Sequence, residues 1–298
     1  MKKVINKLIH LVYKIRMSNY YRWFIYKNNR INTKNYYLSD FQKNILNEVK
    51  KNGFYVTNLD EIYSNESSYE EFSKTSIRIK NNLSERLSKK DESLFKRGKT
   101  FVARYVDLNT NFIDLKPALD LVIDDFFYNI SLHYLENTPK VTNIDFWLNI
   151  PNIESKKIGS QNWHKDFEDK SLLKVFIYLE DVSNNNGPFS YVKESHEHHS
   201  KKIPKELLRN FPDGIVLEEE TILKYFPKND LIKFLGKKNT VLFVDTSGLH
   251  KGGFIDIGYR YLFTFTYTTF AGISPRNFIF KKENLFGYER KKVKSIIG

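Results

Sequence analysis

Apolar positions along this chain follow two different periods, and the change between them falls near residue 140. In the first part they recur every three or four residues, the spacing of one helix face. In "LSDFQKNILNEVKKNGFYVTNL" (38–59), Phe41, Ile45, Leu46 and Val49 form such a stripe. Ser39 or Asp40 can cap its start and Gly53 can stop it, so a helix is expected, followed by a strand at Phe54–Val56. Residues 61–98 are polar and charged and read as helix with loops, and "TFVARYVDL" (100–108) is strand-like. "PALDLVIDDFFYNISLHYL" (117–135) reads as one apolar-periodic helix with Pro117 in its first turn.

From residue 141 the pattern is that of strands. "NIDFWLNI", "LLKVFIYL", "FSYV", "TVLFVD" and "YLFTFTYTTF" are short runs of β-branched and aromatic residues. A helical insert is expected between them, at about 197–235. Helices first and strands later predict an α+β chain whose second half is an antiparallel sandwich or barrel, with the helices as buttresses. The division expected is a basic amphipathic segment at 1–38, a single domain at 39–275 and a basic tail at 276–298.

In "MKKVINKLIHLVYKIRMSNYYRWFIYK", lysine and arginine interrupt every apolar run, which leaves no spanning segment of about 20 apolar residues. Val4, Ile5, Leu8, Leu11, Val12 and Ile15 lie roughly on one helical face. That face either packs on the domain or lies on an anionic membrane surface, so peripheral membrane contact through residues 1–26 of a cytoplasmic protein is an expectation. The net charge of +13 points to an anionic partner, or to nothing beyond a lysine-rich composition. Nucleic acid is not expected, because no RNA-binding signature or zinc-finger spacing accompanies the charge. The absence of cysteine from all 298 residues excludes disulfides, thiolate metal sites and cysteine nucleophiles.

The chemistry starts at "SQNWHKDFEDKSLLKVFIYLEDV" (160–182), where His164 and Asp166 stand one residue apart just before a strand. A second histidine, His250, follows 86 residues later at the end of another strand, with Arg260 ten residues beyond it. Two histidines and one carboxylate are the donor set that holds Fe(II) while leaving coordination positions open. An arginine beyond them can grip a carboxylate through two hydrogen bonds.

With those residues in place, the chain resembles the phytanoyl-CoA dioxygenase-like group of Fe(II)/2-oxoglutarate oxygenases. The resemblance is carried by "WHKD" (163–166), "FIYLEDV" (176–182), "NNGPFSYVKESH" (185–196), "FVDTSGLHKGG" (243–253) and "GYR" (258–260), and it covers about residues 40–270. It implies a double-stranded β-helix (jelly-roll, cupin-like) core. It implies Fe(II) bound by His164, Asp166 and His250, and 2-oxoglutarate bound by Arg260. The reaction implied is decarboxylation of 2-oxoglutarate by O2, giving succinate and CO2, coupled to hydroxylation of a substrate C–H. The substrate expected is a small or carrier-bound metabolite, and the basic charge favours an acidic, glycan- or lipid-related one. Asp166 favours hydroxylation, since related halogenases carry a small residue there.

Strand parity adds further candidates. Lys174, Phe176 and Tyr178 share one face of "LLKVFIYL", so Lys174 either touches co-substrate, substrate or an internal acid, or is solvated. Leu262 and Thr264 fall on the face of Arg260, and Asn149 and Gln161 can present polar groups to the site or serve as structural hydrogen-bonders. Gly252 permits a close backbone approach or makes a simple turn. "SHEHHS" reads as a polar loop rather than a second metal site. The rival readings are a non-catalytic jelly-roll module for an acidic glycan or a protein partner, and a metal enzyme that needs no 2-oxoglutarate.

Overall fold

The computed structural model describes residues 14–95, 99–152, 159–196 and 217–298, together with Leu8, Leu11, Val12 and Pro204. Val4 and Ile5 of the N-terminal stripe, His198 and His199, and most of the expected insert lie outside the described residues.

The chain opens with α1 (Asn19–Asn29) and α2 (Asp40–Asn52). Ser39 caps α2, and Gln42 returns the bond to the Ser39 backbone. Gly53 ends α2 at φ 89°, where a Cβ would also stand 2.3 Å from the Tyr191 hydroxyl, so only glycine fits. Strand β1 (Phe54–Asn58), α3 (Leu59–Ile62), α4 (Glu70–Ser88) and β2 (Val102–Arg104) follow. The strand-like run at 100–108 thus narrows to three residues.

The helix expected at 117–135 is two helices, α5 (Phe112–Val122) and α6 (Asp125–Leu135). Asp124 breaks the run, because its carboxylate accepts from the Phe126 amide at 2.8 Å and starts a new helix. Pro117 lies inside α5 rather than in its first turn, where it removes the bond to the Ile113 carbonyl. The apolar period runs through this break, so the pattern alone does not reveal it.

Next come β3 (Lys140–Asn149), β4 (Leu172–Tyr178) and β5 (Ser190–Val192). The described part of the expected helical insert holds only a short α7 (Glu219–Leu223), followed by an edge strand β6 (Leu231–Lys233) paired with β5. The chain ends with β7 (Thr240–Val244), β8 (His250–Lys251), β9 (Arg260–Thr268) and α8 (Arg290–Ile297).

The strands make two antiparallel sheets. One has the order β1-β7-β4-β9-β3-β2, the other β6-β5-β8. Alternation along the strands divides the apolar residues between two clusters. Val175, Ile177, Val241, Phe243, Phe263 and Phe265 point from the six-stranded sheet toward the helices and meet Ile45, Val49, Ile79, Leu119 and Phe127. Phe176, Tyr178, Leu242, Val244 and Leu262 point the other way and meet Tyr191 of the small sheet and Phe189 just before it. The result is three layers: helices, six-stranded sheet, three-stranded sheet. The basic segment read as a tail at 276–298 is part of the first cluster, because Phe278, Phe280, Leu285 and Ile296 are buried in it. Among the described residues, no helix is long and apolar enough to cross a membrane.

Candidate active site

Two backbone hydrogen bonds bring the histidines together. The amide of His164 donates to the carbonyl of His250, and the reverse bond forms too, both at 2.8 Å. Side chains of such a facing pair project to the same side, and the imidazole centres are 4.2 Å apart. A third bond, from the Asp166 amide to the Thr246 carbonyl at 2.8 Å, fixes the carboxylate two residues on. His164 and Asp166 do not end a strand as the sequence suggested; they lie six or more residues before β4. The His-x-Asp spacing works because this segment is pinned by an isolated bridge to His250 and by the loop before it.

That loop is itself held rigidly. Asp245 accepts from the Ser247 amide at 2.8 Å and from the Tyr134 hydroxyl at 2.5 Å. The Tyr191 hydroxyl donates to the Asp245 carbonyl, and Ser195 accepts from the Leu249 amide. Ser195 and His196 are structural, since His196 Nε2 lies on the Lys50 carbonyl at 3.0 Å. The close backbone approach near the site occurs at Gly253, where a Cβ would stand 2.6 Å from the Gly187 carbonyl carbon; at Gly252 a Cβ meets only ordinary contacts.

His164, Asp166 and His250 offer three ligand atoms within 4.8 Å of one another. His164 Nε2 lies 3.9 Å from Asp166 Oδ1, and His250 Nε2 lies 3.8 Å from Asp166 Oδ2. Each Nδ1 faces a backbone carbonyl at 2.9 Å, that of Asn162 for His164 and of Gly248 for His250. A carbonyl only accepts, so Nδ1 carries the hydrogen and each Nε2 keeps a lone pair aimed at the carboxylate. Burial pushes His250 down to about 3, helped by the neighbouring His164 and Lys174. Burial lowers His164 as well, so both rings are neutral and ready to ligate. Burial disfavours the Asp166 carboxylate, but Lys174 and the two histidines outweigh it and hold its pKa well below the usual range. This donor set could hold a divalent transition metal with positions left open.

Lys174 answers the parity question. Its Nζ donates to Asp166 Oδ2 at 2.5 Å; burial lowers its pKa, and Asp166 more than restores it. The internal acid among the expected partners is the one it finds.

The triad opens onto a cavity of about 520 Å³ between the sheets. Arg260, Leu262, Phe176, Tyr178 and Phe189 line it near His250. Arg260 is only 5% exposed, and its Nε and Nη1 have no hydrogen-bond partner among the described residues. Burial lowers its pKa, with only a partial offset from Tyr178. A buried guanidinium left with unpaired donors fits an anion that binds there.

The remaining candidates separate. Gln161 lines the cavity. Asn149 does not, and its Nδ2 instead donates to the Arg260 carbonyl at 3.3 Å, bracing the strand that carries the arginine. Thr264 is fully buried beyond the lining, on the same face as Arg260. The sequence reading missed Lys99, whose Nζ lies 3.1 Å from Ser160 Oγ, and Arg104, which stacks 4.7 Å from the Trp147 ring. It also missed Asp145, which takes the Trp147 indole hydrogen at 2.9 Å. A charged residue on the inward parity of "NIDFWLNI" was the available signal for Asp145.

The sequence matches no family model and no curated protein sequence. The fold is similar to solved structures. The epimerase SnoN in complex with Fe3+, alpha ketoglutarate and nogalamycin RO superposes with a TM-score of 0.53 at 12% identity, over 76% of this chain and 83% of that one. EctD from S. alaskensis with bound Fe gives 0.52 at 15% identity, over 83% of each chain. EctD with 2-oxoglutarate and 5-hydroxyectoine gives 0.50 at 17%, over 82% of this chain and 81% of that one. At these identities the likeness is one of fold.

Proposed function

We propose that this chain is a non-haem Fe(II)- and 2-oxoglutarate-dependent oxygenase with a double-stranded β-helix core, of the phytanoyl-CoA dioxygenase-like branch, that hydroxylates a small or carrier-bound substrate. The observation that carries this reading is the buried Arg260 guanidinium with unpaired donors, in the cavity that also holds His164, Asp166 and His250. A His-Asp-His set alone serves many metal chemistries. A buried cation beside it fits an anionic co-substrate. The solved structures of similar fold, crystallised with iron and with 2-oxoglutarate, support the same assignment.

In this reading His164, Asp166 and His250 hold the metal through two neutral Nε2 atoms and one carboxylate. Iron with 2-oxoglutarate supplies the oxidising power for attack on a substrate C–H bond. Arg260 pairs with the distal carboxylate of 2-oxoglutarate, and Leu262, Phe176 and Phe189 keep water from that ion pair. Lys174 fixes the Asp166 oxygen it bonds, which limits how that carboxylate can turn. Arg104, Trp147 and Asp145, lining the same cavity, face the substrate.

The test is O2-dependent formation of succinate from 2-oxoglutarate by Fe(II)-loaded protein, beside His164→Ala and Arg260→Ala. Turnover in the wild type that both variants lose supports the proposal. Retention of turnover by Arg260→Ala contradicts it.

A further inference from the structure

Helix α1 buries a charge and leaves large apolar side chains exposed. Its only buried side chain is Arg22. Nη1 of Arg22 donates to Asp169 Oδ1 at 2.5 Å and Nη2 to the Tyr26 hydroxyl at 2.6 Å. Just upstream, Arg16 donates to the carbonyls of Phe270, Ala271 and Gly272. The far end of the helix is tied down as Thr138 donates to the Asn29 carbonyl. The segment is thus docked through polar contacts. Tyr21, Ile25 and Tyr26 are half-buried, whereas a second set of apolar residues faces outward: Leu11 is 55% exposed, Ile15 49%, Tyr20 81%, Trp23 59% and Phe24 54%.

A surface helix of a soluble domain normally does the opposite. An exposed apolar stripe of this kind marks a surface that something else covers. Charge identifies the occupant. The first 39 residues carry nine lysines and arginines and no acidic residue. A second copy of the chain would set one basic strip against another, with +13 on each partner. An anionic bilayer complements the strip. Tryptophan and tyrosine favour the headgroup level, and Lys27 lies 5.4 Å from the Trp23 ring centre, with its charge beside the aromatic face.

We propose that the outer face of this N-terminal helical segment lies on an anionic lipid surface, with Leu11, Ile15, Trp23 and Phe24 entering the interface and Lys14 and Lys27 meeting headgroups. The docking contacts link that surface to the cavity. Gly272 stands two residues before Ser274, which lines the cavity, and Asp169 stands three residues after Asp166. The segment is therefore docked on stretches of chain that continue directly into the lining of the cavity.

The test is co-sedimentation of the full-length protein with phosphatidylcholine vesicles, with and without phosphatidylglycerol. The comparison proteins are Leu11→Gln/Ile15→Gln/Trp23→Gln and Lys14→Gln/Lys27→Gln. All five positions are outside the core, and unchanged thermal unfolding verifies the fold. The wild type should bind the phosphatidylglycerol vesicles and lose binding as salt rises. Each variant should lose about tenfold or more in partitioning, since each lysine near the surface contributes about fivefold. Equal partitioning of the wild type and the apolar variant, or no binding by the wild type, overturns the proposal. A wild-type dimer in sedimentation velocity that the apolar variant dissolves also overturns it and assigns the face to self-association.

Discussion

Replacing Arg260 by methionine should make the protein more stable and deaf to 2-oxoglutarate. The guanidinium is 5% exposed, and its Nε and Nη1 lack acceptors among the described residues. Each unmade hydrogen bond of a buried polar group costs about 1–3 kcal/mol. Methionine has similar length, carries no donor and suits a wall built from Leu262, Phe176 and Phe189. Allowing for imperfect repacking, the ligand-free variant should gain about 2 kcal/mol, or about 4 °C in melting temperature for a chain of this size. In the wild type, 2-oxoglutarate at a hundred times its dissociation constant should add about 2.7 kcal/mol, a comparable upward shift. In the variant it should add nothing. Thermal unfolding of Co(II)-loaded protein, with and without 2-oxoglutarate, measures both effects. A variant that melts below the wild type and still rises with 2-oxoglutarate would refute the reasoning, because Arg260 would then be paired within the protein and idle toward the ligand.

Lys174→Met should destabilise the metal-free protein by about 3 kcal/mol, because Asp166 is left buried without its cation, and the loss should shrink once Co(II) occupies the site. Urea unfolding with and without the metal reads the difference; a loss unchanged by metal would show that Lys174 supports packing alone. Burial, with Arg276 and Arg16 nearby, pushes Lys140 down to about 8 from an ordinary 10.5. The folded state then binds fewer protons than the unfolded one between those two values, so this group's contribution to stability rises with pH across that window. Lys140→Met should accordingly gain about 1 kcal/mol at pH 7, after allowance for partial solvent exposure, and the gain should fade toward pH 10. A gain independent of pH would show that the ammonium is not the cause. Gly53→Ala should cost about 3 kcal/mol in urea unfolding, since φ is 89° and the new methyl meets the Tyr191 hydroxyl, and a cost below 1 kcal/mol would mean that Tyr191 yields freely.

Much of the site was legible because strands impose parity. Lys174, Phe176 and Tyr178 had to share a face, and so did Arg260, Leu262 and Thr264. His164, Asp166 and His250 stood out by residue type and spacing, although His164 and Asp166 prove to sit on an isolated bridge before β4 rather than at a strand end. The partner of Lys174 was not legible, because it depends on how the strand end folds back across eight residues. Asn149 sits beside Arg260 as its parity suggests, yet its amide serves the backbone. The helix pattern was readable until Asp124, where side-chain capping overrode a continuing apolar period. For the N-terminal stripe the period was visible but its direction was not. Only the docking of Arg16 and Arg22 shows that Leu11 and Ile15 face outward.

The most direct measurement is an anaerobic titration of the metal-free protein with Fe(II) and then 2-oxoglutarate, followed by visible absorption. One equivalent of Fe(II), followed by a charge-transfer band that appears only with 2-oxoglutarate and is missing in His164→Ala and Arg260→Met, is the expected result. Iron that binds equally well to His164→Ala would contradict the assigned ligands, and a band that survives in Arg260→Met would contradict the assigned anchor.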